Sequence, residues 1–206
     1  MTLWAIVPVK PLRRGKSRLS VVLSEDERTA LNQTMLINTL KTLASVKEID
    51  TVLVVSRDPM ALSIARDYSA RTVLEDGNPG LNTALRRAAS VAKAYMANEI
   101  FVLPADLPLI KSEDIISFLS LAIKPPEIII APDRRKDGTN ALLISPADLI
   151  EFRYGPGSFN AHLKNAKDAH ARIEIVESEV FGLDLDLPED IQLLKKYEDL
   201  SIKTPN

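Results

Sequence analysis

Three groups of charged residues, far apart in the 206-residue chain, have the types and spacing to do chemistry together. The stretch "PVKPLRRGKSRL" at 8–19 sets Lys10, Arg13, Arg14, Lys16 and Arg18 within nine positions, with no acid among them. "FVLPADLPL" carries Asp106 between Pro104 and Pro108, which restrict the backbone around it. "FGLDLDLPED" alternates Asp184 and Asp186 with leucines, so a strand there puts both acids on one face. Cations beside carboxylates suit a phosphate-rich substrate and a hard metal. Mg²⁺ prefers oxygen ligands, keeps several waters, and uses one or two carboxylates together with substrate phosphates. Two acids that meet without a metal raise one another's pKa, and a divalent ion removes that conflict. In phosphoryl-type transfer the protein mainly positions groups and spreads developing negative charge, which this equipment can do.

Plainer readings compete at each point. The cations could belong to a solvated loop, and Asp106 could be a turn acid. Asp184 and Asp186 could form a solvent-facing row, with Asp190 in the first turn of the last helix, where the dipole favours an acid. His162 and His170 read as surface or partly buried helix residues, and Trp4, the only tryptophan, as core.

Composition removes several function classes. With 26 Lys plus Arg against 28 Asp plus Glu, the chain lacks the broad basic face of a general nucleic-acid binder. Aromatic residues do not interleave the basic loop, which argues against stacking on RNA. The chain has no cysteine, which excludes disulfides, thiolate metal sites and cysteine nucleophiles. Two histidines leave little room for a histidine-built zinc site or a serine–histidine–aspartate triad. No apolar run approaches the roughly 20 residues that span a bilayer, and "MTLWAIVPVK" has no signal-peptide pattern. The expectation is a cytoplasmic protein without a membrane or nucleic-acid partner.

The elements that must position these residues follow from periodicity. "LWAIV" at 3–7 and "TVLVVS" at 51–56 are short apolar runs, read as strands buried on both faces. Ser24 and Glu27 form a capping box before a helix carrying Leu31, Met35, Leu36, Leu40 and Leu43. Asp58 and Pro59 open a second helix. "RTVLE" is a third strand, followed by a helix over about 81–98, a strand at 99–103, and a helix capped by Ser112. "EIIIAP" and "ALLIS" flank the turn "DRRKDGTN", which predicts antiparallel pairing beside a parallel core. A helix at 159–169, strands "RIEIV" and "FGLDLD", and a closing helix at about 188–197 complete the chain. Alternating strands and helices predict a mostly parallel sheet covered on both faces, in a single domain over 1–206 whose end frays from about residue 201. In such sheets ligands collect beyond the carboxyl ends of the strands, where all three charged groups fall.

"AIVPVKPL…GKSRL" with "LPADLPL", "DGTNALL", "YGPGSF" and "FGLDLDLPED" resembles the 2-phospho-L-lactate guanylyltransferase family of coenzyme F-420 biosynthesis. That family groups with molybdenum-cofactor guanylyltransferase-like and sugar-nucleotide nucleotidyltransferases. The resemblance runs from Trp4 to about Leu194, and its strength lies in five motifs in one order. It implies a Rossmann-like three-layer α/β fold and transfer of GMP from GTP to the phosphate of a small carboxylic acid, 2-phospho-L-lactate or phosphoenolpyruvate. On that resemblance Lys10, Lys16 and Arg18 face the triphosphate, and Asp106 with Asp186 or Asp184 holds Mg²⁺. Gly80 and Asn82 of "PGLNTAL" are candidates near the base, with helix capping by Asn82 as the competing reading. Thr139, Gly155 and Ser158 match the acceptor-phosphate positions. Gly155 and Gly157 permit close backbone approach, and Ser158 lies where a helix begins, a ready anion site, although a plain N-cap is the simpler role. The first loop departs from the glycine-rich pattern of the sugar-nucleotide enzymes, having only Gly15. Family members also point to a homodimer. The alternatives are a nucleotidyltransferase of the same fold with another acceptor or base, and a non-catalytic nucleotide-binding module.

Overall fold

Strand β1 (Leu3–Val9) lies inside a sheet, flanked on both sides, and its apolar run has to satisfy two faces at once. Leu3, Ala5 and Val7 enter one core and Trp4 and Ile6 the other, as the two-residue period of a strand requires. The computed structural model describes residues 2–202, with side chains described through Lys195.

The sheet has seven strands in the order β3-β2-β1-β4-β6-β5-β7. β2 (Thr51–Ser56), β3 (Arg71–Leu74) and β4 (Glu99–Val102) run parallel to β1. β5 (Glu127–Pro132) and β7 (Arg172–Ile175) pair in parallel with each other. β6 (Thr139–Ser145) runs antiparallel to both of its neighbours, β4 and β5. The first core packs helices α1 (Glu25–Ala44), α2 (Pro59–Asp67), α4 (Ser112–Leu119) and the short α6 (Glu179–Gly182) on one face. The second packs α3 (Leu81–Ala94) and α5 (Ser158–Asp168) on the other. A 3₁₀ turn (Ser17–Val21) follows the basic loop, and α7 (Pro188–Ile202) closes the described chain.

Local signals fared well. The capping box of Ser24 and Glu27 forms, and Asp58 caps α2 ahead of Pro59. Other boundaries moved. α3 stops at Ala94 rather than near residue 98. The cap of α4 is Lys111, whose N–H donates to Asp114, and not Ser112. α7 continues past the expected end near residue 197; its backbone is helical through Ile202, and the rest of the expected frayed tail lies outside the described residues.

The largest correction concerns "FGLDLD", which is not a strand. Phe181 and Gly182 belong to α6, and residues 183–187 have no ladder partner, with the Asp186 N–H folding back onto the Asp184 carbonyl. Their amides find other acceptors: Leu185 donates to the Asp106 carbonyl, and Asp186 and Leu187 to the Asp190 carboxylate. The alternation survives without the strand, since Leu183 and Leu185 are buried and the aspartates are not.

Chain order reverses beside β1: β2 lies on one side of it and β4 on the other. Such a reversal opens a crevice at the carboxyl ends of the two strands. Because β6 is antiparallel, its first residue, Thr139, comes to that same edge.

Candidate active site

The basic loop leaves β1 and is pinned from two helices. Leu12 is buried; its N–H donates to the Asp58 carboxylate at 2.7 Å, and its carbonyl accepts from Asn32 of α1 at 2.7 Å. Gly15 lies so close to this clamp that a Cβ there would come 2.7 Å from Asn32 Nδ2. The next residue, Lys16, takes a left-handed backbone with φ 53°. That conformation costs a non-glycine residue roughly 1–2 kcal/mol. It turns the lysine side chain inward, leaving it 6% exposed.

Lys16 Nζ sits 3.3 Å from Asp186 Oδ1 and 3.8 Å from Asp106 Oδ2. Of the five loop cations, it alone reaches the acids among the described residues. Arg13 pairs on the surface with Glu25, and Lys10, Arg14 and Arg18 stay exposed at the same edge without an ion pair among the described residues.

Asp184 joins the same cluster from behind. Burial pushes its pKa up to about 6, and the negative charges of Asp106 and Asp186 add to the rise, with a hydrogen bond from Asn140 opposing it. Asp106 and Asp186 are more open, with side chains 33% and 40% exposed. Among the described residues no three His, Asp or Glu side chains close into a metal cage of their own. Two accessible carboxylates, already attractive to the Lys16 ammonium, nevertheless fit a hard ion that brings waters and takes further oxygens from phosphates.

Asp190, which the sequence reads as an ordinary first-turn acid, organises this loop. One carboxylate oxygen accepts the N–H of Asp186 at 2.9 Å and of Leu187 at 2.6 Å. The other accepts from Arg134 at 2.7 Å, in a side chain only 4% exposed. Arg134 lies in the β5–β6 turn, which thereby grips the segment bearing Asp186. The sequence signal was available as an acid three residues into a helix behind a prolyl start, but its partner is 56 positions away.

That turn also reaches the later motifs. At the end of the β5–β6 ladder Ala131 faces Ala141 and Pro132 faces Thr139, so Asn140 is an extra residue in a bulge. The bulge shifts the phase of the strand. Asn140 consequently donates to the Phe181 carbonyl on the carboxylate side, whereas Thr139 meets His162 of α5 on the opposite side. Two consecutive residues thus serve two clusters.

Thr139 Oγ1 lies 3.4 Å from Ser158 Oγ and 3.0 Å from His162 Nδ1, and the Ser158 N–H donates to the Gly155 carbonyl at 3.1 Å. Thr139, Gly155 and Ser158 therefore come together. Gly155 and Gly157 hold φ of 129° and 70°, which only glycine adopts freely. The amides at the start of α5 are not free for an anion, contrary to expectation. Gly157 donates to the Asp137 carboxylate, Ser158 to Gly155, and Phe159 to the Asp137 carbonyl. Ser158 is also no N-cap; that position is Gly157, and the serine side chain is buried. His162, expected at the surface or partly buried, is fully buried, and burial holds its pKa down at about 4.

On the remaining side, Gly80 rather than Asn82 caps α3. The Gly80 N–H donates to Glu75, itself paired with Arg57. Asn82 spends its amide on the Tyr154 backbone, accepting at 2.7 Å and donating at 2.9 Å, and so ties α3 to the loop holding Gly155.

The profile of the family described as "Guanylyl transferase CofC like" matches residues 3–197. A relative named phosphoenolpyruvate guanylyltransferase, from Rubrobacter xylanophilus, is 40% identical over 95% of this chain and 94% of its own. Another, named 2-phospho-L-lactate guanylyltransferase, from Methanocaldococcus jannaschii, is 36% identical over 90% of this chain and 79% of its own. Among solved structures, a nucleotidyl transferase from Methanothermobacter thermautotroptrophicus superposes with a TM-score of 0.70 at 16% identity, covering 97% of this chain and 99% of that one. At that identity the likeness is one of fold.

Proposed function

The chain belongs to the CofC-like guanylyl transferase family, and from that premise we propose that it transfers GMP from GTP to the phosphate of phosphoenolpyruvate or 2-phospho-L-lactate, releasing pyrophosphate, as a step of coenzyme F-420 biosynthesis. The observation that carries the reading is one edge at which Lys16, Asp106 and Asp186 meet, joined through the adjacent Asn140 and Thr139 to the Gly155–Ser158 loop.

The chemistry is a single in-line displacement. An oxygen of the acceptor's phosphate attacks the α-phosphorus of GTP, the bond to the bridging oxygen breaks, and pyrophosphate leaves. The attacking phosphate is already ionised near neutral pH, so no general base is required. Lys16 neutralises the triphosphate and the departing pyrophosphate, with Arg18 and Lys10 exposed at the same edge to extend that grip. Asp106 and Asp186, with Asp184 behind, would hold Mg²⁺, which when bound supplies charge neutralisation and alignment of phosphate oxygens. Thr139, Gly155 and Ser158 receive the acceptor, and the turn at Gly80 and Asn82 borders the nucleoside. A homodimer, expected from the family, and a cytoplasmic location, expected from the sequence, are tested by sedimentation and cell fractionation.

Mass spectrometry of products tests the reading directly. Incubated with GTP, Mg²⁺ and each acid in turn, the protein should yield a guanylylated acid and pyrophosphate. Product from CTP, ATP or UTP in preference to GTP would move the assignment to another base. GTP binding with no product from either acid would leave a nucleotide-binding module.

A further inference from the structure

We infer that His162 is a positioning residue whose tautomer leaves one hydroxyl hydrogen of the Thr139–Ser158 pair free for the acceptor's phosphate. The inference rests on the acceptor site proposed above and specifies how that site donates.

The argument is a count of hydrogens. His162 Nε2 lies 2.9 Å from the backbone nitrogen of Arg153, a group that can only donate. Nε2 must therefore offer its lone pair. The ring is fully buried, in edge contact with the Tyr154 ring and without an ion pair among the described residues, so it stays neutral. A neutral imidazole that accepts at Nε2 carries its proton at Nδ1. Nδ1 is 3.0 Å from Thr139 Oγ1, so the histidine donates to the threonine.

Two hydroxyl hydrogens remain, one on Thr139 and one on Ser158, 3.4 Å apart. If Ser158 donates to Thr139, the threonine hydrogen is left over; if the direction reverses, the serine hydrogen is left over. Either way the pair ends with one donor and, among the described residues, no acceptor for it. The opposite tautomer would let Thr139 donate to the ring and Ser158 to Thr139, leaving none. Thr139 and Ser158 are both buried residues, and an unmatched buried donor is costly, so the pair is built to meet an acceptor such as a phosphate oxygen. The backbone donors of Gly157, Ser158 and Phe159 are already spent, which makes this hydrogen the more important.

Two measurements on the intact protein decide the matter. ¹⁵N-histidine NMR of the wild type should show His162 as the neutral Nδ1–H tautomer at pH 7, with the other imidazole signal belonging to His170. An Nε2–H or doubly protonated ring overturns the inference. In kinetics, His162→Asn sets an amide N–H where Nδ1 was, whereas His162→Gln sets its amide where Nε2 was and loses the donor to Thr139. Losing a buried hydrogen-bond donor should raise the acceptor KM about tenfold in His162→Gln, while His162→Asn stays within about threefold and both leave the GTP KM unchanged. Equal acceptor KM values in the wild type and His162→Gln would sink the inference. If the wild type makes no product from either acid, it is the acceptor assignment that fails, and the NMR spectrum still reports the tautomer independently of folding in any variant.

Discussion

Lys16 Nζ and Asp186 Oδ1 stand 3.3 Å apart although 170 positions separate them in the chain. The contact joins the loop after the first strand to the segment before the last helix, with Asp106 of the middle of the chain 3.8 Å from the same ammonium. The basic loop and the carboxylates thus meet at one edge, and the expectation that they converge holds for Lys16.

Lys16→Ala should lower kcat/KM for GTP by about 10²-fold or more, the scale on which removing a group that stabilises transition-state charge is felt. Arg18→Ala and Lys10→Ala, whose side chains are exposed, should cost less and mainly raise the GTP KM. A steady-state assay with saturating acceptor separates them, and an unaffected Lys16→Ala enzyme removes this lysine from the site.

Asp106→Asn and Asp186→Asn should each reduce turnover by about 10²-fold and raise the Mg²⁺ concentration needed for half-maximal rate. EDTA should abolish activity and added Mg²⁺ restore it. Asp184, the more buried of the three, should shift the Mg²⁺ requirement less when changed to Asn. Titrating Mg²⁺ against initial rate for the three variants orders the carboxylates.

Asp190→Ala should destabilise the fold by about 2 kcal/mol, because it strands the amides of Asp186 and Leu187, while the part-exposed Arg134 can turn to water. The same variant should lose activity through misplacement of Asp186. Urea denaturation gives the first quantity and the transfer assay the second; a stable variant with full activity would leave Asp190 an ordinary helix acid.

The buried His162 predicts a pH dependence of stability. Its folded pKa of about 4 lies below the unfolded value of 6.5, so the unfolded chain binds the extra proton first as pH falls. The stability it protects is complete above about pH 6.5 and is lost between there and pH 4, amounting to about 2 kcal/mol on going from pH 7.5 to 5. Urea unfolding at those two pH values should show this loss in the wild type in excess of that in His162→Asn. Equal losses would mean that the ring titrates normally.

Much of the fold was legible because its signals are local. The apolar run at 3–7, the Ser24–Glu27 box, the Asp58–Pro59 start and the turn between "EIIIAP" and "ALLIS" each depend on residues a few positions apart, and each appears as read. The placement of Asp106 and Lys16 beyond strand ends followed from the same periodicity. "FGLDLD" misled because alternation specifies an extended chain, whereas a strand also needs a neighbour, and here the amides are taken by Asp106 and Asp190.

By itself, then, the sequence determined the order of elements as far as β7, the mixed sheet and the chemical types gathered at its carboxyl edge, since caps and alternation are set by near neighbours in the chain. Only the tertiary structure selected Lys16 from five cations, made Asp190 a clamp, buried His162 against Thr139, and divided Thr139 from Asn140 across a bulge. Those choices turn on strand order and on which distant backbone groups come within about 3 Å, and no spacing along the chain records that.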